Sequence, residues 1–119
     1  MQDFRKLIVW RKSHRLVLNV YAKTAHFPKT EAFGLTGQTR RAAVSIAANI
    51  AEGCGRCGDK ELGRFLYISL GSASELEYLS ILIRDLMLLE RTEATKIELA
   101  AIEIKKMLAG LIASLPLDT

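Results

Sequence analysis

Two cysteines, two histidines, and a scatter of serines and carboxylates are the side chains of this chain whose types could do chemistry. Cys54 and Cys57 share a C-x-x-C spacing inside the glycine-rich stretch Ala51–Glu61, which suits a zinc knuckle, a dithiol pair or a turn. A closed zinc site needs two further ligands, and no second C-x-x-C follows. His14 and His26 stand twelve residues apart, about 18 Å along a helix, and no Glu-x-x-His spacing of a bundle-borne di-metal site occurs. Ser69, Ser72, Ser74 and Ser80 have no neighbouring histidine, and there is no phosphate loop or nucleophile elbow. The expectation is a protein that is not an enzyme and holds no metal or cofactor. A thiol site shared between subunits, or a Cys57 activated by the start of the following helix, stands as the alternative.

The elements that must position these residues are all helical. No stretch alternates apolar and polar residues for long enough to make a half-buried strand, and the only prolines are Pro28 and Pro116. The spacing predicts helices from about Leu7 to Ala25, Leu35 to Gly53, just after Asp59 to about Leu89, and near Thr92 to before Pro116. Gly53, Gly55 and Gly58 can supply positive φ between the second and third, and Asp59 is a suitable N-cap. Four helices with short connections, in one domain over residues 1–119, predict an antiparallel up-down four-helix bundle.

The third helix carries two apolar arcs. Phe65, Ile68, Leu76, Leu79, Leu82, Ile83 and Leu86 fill one; Leu66, Leu70, Ile81 and Leu88 fill another. One bundle core covers one arc, so the second predicts a subunit interface and a homo-oligomer. In the second helix the core arc is Leu35, Gln38, Ala42, Ser45, Ile46, Asn49, Ile50 and Gly53, with Arg41 and Glu52 at its edge and Arg40 pointing away. If the second and third helices fold back about residue 57 or 58, Arg41 lies level with Glu75. The expectation is a structural polar network of an Arg41–Glu75 ion pair, with Asn49 and Glu52 bonding nearer the turn.

The formal charge of +4 hides an asymmetry: residues 1–64 carry 12 Lys or Arg against 5 Asp or Glu, and residues 65–119 carry 5 against 8. Such a division suits either a basic surface for polyanions or faces that pair within an assembly. Arg11, Lys12, Arg15, Asn19 and Lys23 share the polar arc of the first helix, opposite Val9, Trp10, Ser13, Val17, Val20 and Tyr21. Arg40, Arg56, Lys60 and Arg64 add a second basic patch near the helix ends. There is no signal-peptide pattern and no apolar run long enough to span a bilayer, so the expected location is the cytoplasm, with no membrane partner. In that reducing setting the cysteines remain thiols.

Three blocks, "FRKLIVWRKSHRLVLNVY", "FGLTGQTRRAAVSIAANIAEG" and "DKELGRFLYISLGSASELE", closely resemble the bacterial four-helix-bundle proteins of the 23S rRNA intervening-sequence protein family. The resemblance implies a small up-down bundle, in several members a ring-like pentamer. It extends to the accessory variability determinant of diversity-generating retroelements, a basic pentamer that associates with a reverse transcriptase and nucleic acid. In the family pattern an aromatic and a basic or polar residue are usual where Cys54 and Cys57 stand, which implies that C-x-x-C is an incidental feature of a turn. Two functions follow as expectations. One is an accessory protein that binds RNA or DNA backbones through Arg11, Lys12, Arg15, Lys23, Arg40, Arg56, Lys60 and Arg64; the other is a protein-binding scaffold without nucleic-acid affinity.

Overall fold

The apolar spacing is realised as four α-helices in the computed structural model, which describes residues 2–31 and 34–116. They are α1 (Ile8–Thr24), α2 (Leu35–Cys54), α3 (Asp59–Asp85) and α4 (Arg91–Ser114), with short 3-10 turns at Phe4–Lys6 and Lys29–Glu31. Each helix packs on the next, α4 returns against α1, and the bundle measures 48 × 21 × 21 Å. No strand occurs among the described residues. One core runs the length of the bundle: Val9, Leu16 and Val20 from α1, Ile46 and Ile50 from α2, Leu66, Leu76 and Ile83 from α3, and Ile97, Ile104 and Leu108 from α4.

Helices α2 and α3 approach closely at Gly53. A Cβ on Gly53 would lie 2.9 Å from Phe65 Cβ and 3.1 Å from Leu62 Cδ1, so only glycine lets the helices approach this far. Ser69 Oγ donates to the Ile46 carbonyl at 2.8 Å, and the Ser45 and Ser72 hydroxyls meet at 2.7 Å. These pairs are centred at 57.5 and 58.5, within a residue of the expected fold-back point, so the expected register holds.

The rotation of α2 within that register differs from expectation. Thr36, Thr39, Ala43 and Ala47 are buried, whereas Gln38 is exposed and Ser45 and Asn49 sit at the core's edge. Arg41 is consequently turned to solvent, as is Glu75, and no Arg41–Glu75 ion pair forms. Asn49 instead donates to the Ser45 carbonyl at 2.8 Å, and Glu52 pairs with Arg56 at 3.0 Å.

The turns also correct the sequence reading. Of the three glycines, only Gly58 has positive φ (89°), and it, rather than Asp59, occupies the N-cap position of α3. Helix α3 stops at Asp85, four residues early, in a Schellman closure: Leu88 N–H donates to the Ile83 carbonyl and Met87 N–H to that of Arg84. The left-handed position that usually holds glycine is taken by Met87 at φ 57°. The second arc of α3 is not free either, since Leu66 is fully buried and Leu70 and Leu88 pack against the core.

Urea unfolding checks both backbone arguments. Gly53→Ala loses about 1–3 kcal/mol by overpacking the α2–α3 contact. Met87→Gly gains about 0.5–1 kcal/mol by relieving the left-handed position.

Candidate interaction surfaces

The eight candidate cations do not form one basic face. On α1, Lys12 Nζ meets Glu103 at 2.9 Å and Lys23 Nζ meets Glu93 at 3.3 Å, so two cations of the expected positive arc clasp α1 to α4. The hydrogen bond from Lys23, with help from Lys96, holds the Glu93 carboxyl below the usual carboxylate range. A depressed carboxyl stabilises the fold above its unfolded-state pKa, and that contribution is lost as pH falls through the lowered value. Arg11 and Arg15 remain exposed, one turn apart, with no carboxylate within 4.0 Å among the described residues.

At the α2–α3 turn, Arg56 pairs with Glu52 and Arg64 with Glu61, both at 3.0 Å. Their guanidinium carbons stand 5.2 and 4.4 Å from the Phe65 ring centroid. These arginines roof a core aromatic, and the Arg64 hydrogen bond draws the Glu61 carboxyl downward. Lys60, in the first turn of α3, is exposed and unpaired among the described residues. Arg40 does not point away from the bundle. Its Nε donates to Thr24 Oγ1 at 2.9 Å, and the guanidinium stacks 4.5 Å over Tyr21, tying α2 to α1.

Several polar contacts were missed from sequence. Arg84 donates to Glu98 at 2.6 Å and to Thr95 at 3.1 Å, and Lys105 to Glu77 at 3.0 Å. Positions 84 and 98, like 77 and 105, are mirror positions about residue 91, close to the midpoint of the expected helix limits Leu89 and Thr92, so folding α3 back on α4 about that point would have revealed both.

An uncovered, largely apolar relief lies along the outside of the α1–α2 seam. One stretch, about 290 Å³, is lined by Phe4, Trp10, His14, Val17, Val44 and Ala51; the adjoining one, about 640 Å³, continues along Tyr21, Gly37, Arg40, Arg41, Val44 and Ala48. Trp10 stacks on His14 with centroids 5.1 Å apart and meets Phe4 edge-on at 4.9 Å, giving the seam an aromatic wall. On the far corner of the bundle α3 exposes Tyr67, Ile68 and Tyr78.

Cys54 is buried and Cys57 exposed, and neither is in a disulfide. Burial pushes the Cys54 thiol up from its ordinary pKa. Among the described residues, no three His, Cys, Asp or Glu side chains gather to hold a metal, and no helix is long and apolar enough to cross a membrane.

Fold and surface together define a small all-α up-down bundle in which four ion pairs clasp α4 to α1 and α3. The chain belongs to the 23S rRNA-intervening sequence protein family, whose profile matches residues 5–110. Among solved structures it is similar to a protein of unknown function from the S23 ribosomal protein family of Bacteroides thetaiotaomicron. The two are 25% identical with a TM-score of 0.80, over 90% of this chain and 100% of that one. No curated protein matches the sequence.

The two thiols should separate under a chromogenic disulfide reagent: Cys57 reacts at once in the native protein, and Cys54 reacts only on unfolding. Two fast thiols per chain would contradict the placement of Cys54 in the core.

Proposed function

We propose that the protein is a non-enzymatic, self-assembling bundle that binds nucleic-acid backbones through the outer face of α1. The observation that carries this is the pair Arg11 and Arg15, exposed on successive turns with no carboxylate partner among the described residues. Lys12, Lys23, Arg56 and Arg64 are each neutralised by a glutamate, which removes them as principal phosphate ligands. Two guanidinium groups per protomer are a weak ligand set alone, and repetition in an oligomer supplies avidity. Nothing in the face suggests base readout, so the ligand is the phosphate backbone of RNA or DNA.

Fluorescence anisotropy with structured RNA and duplex DNA tests this. The wild-type protein binds at low salt with a log–log salt slope of about −2 per engaged protomer. The variant R11E/R15E loses at least tenfold in affinity, while R56Q/R64Q changes little. Absence of wild-type binding at low salt overturns the proposal.

A protein-binding role is the second function, and the apolar α1–α2 seam specifically favours it. A protein that failed the anisotropy test yet self-associated or captured a protein through that seam would be a scaffold.

A further inference from the structure

Arg41 and Glu75 are each out of place in an isolated chain. Arg41 stands exposed beside the apolar α1–α2 groove, and Glu75 is exposed on α3 among Ile68, Tyr78 and Tyr67; neither has a partner within ion-pair distance among the described residues.

The two surfaces match in length, polarity and charge. Along α1 the groove is walled from Trp10 to Tyr21, and along α3 the apolar row runs from Tyr67 to Tyr78. Both spans are eleven residues, about 16 Å of helix. The floor of the groove is shallow and built from Gly37, Val44, Ala48 and Ala51, which lets a helix approach closely. The row on α3 supplies large side chains, with Gly71 also exposed between them. Among the described residues no carboxylate lines the groove, whereas Arg40, Arg41 and His14 do. The exposed carboxylates of α3 are Asp59, Glu75 and Asp85, and of these Glu75 alone lies within the Tyr67–Tyr78 row.

We infer that the α3 face of one copy docks in the α1–α2 groove of the next, with Glu75 of one chain paired to Arg41 of the other. This rests on the self-assembly part of the proposed function and specifies its faces. Arg41 lines the Tyr21 end of the groove and Glu75 lies near the Tyr78 end of the row, so the docked α3 runs in the same direction as α1. Because the two faces differ, the contact is heterologous, and repetition gives a ring or an open filament rather than a two-fold dimer.

Charge reversal tests the pairing on the full-length chain, with mass measured by light scattering across a dilution series. Both residues are exposed, so single variants keep the helical circular dichroism of the wild type. R41E and E75R alone each raise the half-dissociation concentration at least tenfold, and the double variant R41E/E75R restores assembly. Wild-type protein that is monomeric at tens of micromolar overturns the self-assembly proposal and this interface with it. Wild-type oligomers whose mass is indifferent to R41E and E75R, or a double variant no better than the singles, overturn this interface and leave self-assembly standing.

Discussion

The close approach of α2 to α3 at Gly53 is the constraint on which the rest of the architecture depends. With Phe65 and Leu62 pressed against the glycine, the register of the two helices is set, and the Ser69–Ile46 and Ser45–Ser72 hydrogen bonds follow from it. Buried hydroxyls need partners, and these find them only in one alignment. That alignment leaves Arg41, Val44 and Ala48 of α2 and Glu75 of α3 on the outside. A tight internal contact thereby decides what the outer surface presents.

Electrostatics divides the cations into two kinds. Lys12, Lys23, Arg84 and Lys105 each reach a carboxylate on another helix, and together they clasp α4 to α1 and α3. The half-buried Arg84–Glu98 pair is the best shielded of these. Arg11, Arg15 and Arg41 meet no internal carboxylate among the described residues, and exposed charges without partners are free to act between molecules. The charge asymmetry between the two halves of the chain is thus spent partly inside the bundle, and only the remainder bears on partners.

Helix number, their approximate limits and the α2–α3 register were legible from apolar spacing and from the glycine-rich break. The azimuth of α2 was not, because an arc of alanine, serine and threonine gives hydropathy little contrast. Thr36, Thr39, Ala43 and Ala47 enter the core, Gln38 leaves it and Arg41 moves from its edge to solvent, a modest rotation that exchanges the roles of the adjacent arginines. The end of α3 was hidden because Met87 holds a position that normally announces itself as glycine. The clasping of Lys12 and Lys23 depends on which residues of α4 reach α1, and that is a tertiary fact. Of the eight candidate cations, Arg11, Arg15 and Lys60 stand exposed without a carboxylate partner among the described residues, and nothing in the sequence separated them from those engaged within the bundle.

In the interface proposed above, the α1–α2 groove is covered by another chain at working concentration. Trp10, the single tryptophan, lines that groove and reports on it directly. Iodide quenching of its fluorescence should be measured from tens of micromolar down to nanomolar protein. The expected result is quenching that rises on dilution, with an accompanying red shift, as the groove is uncovered. Quenching and emission that stay constant over the whole range, at the values of the dilute monomer, would contradict it.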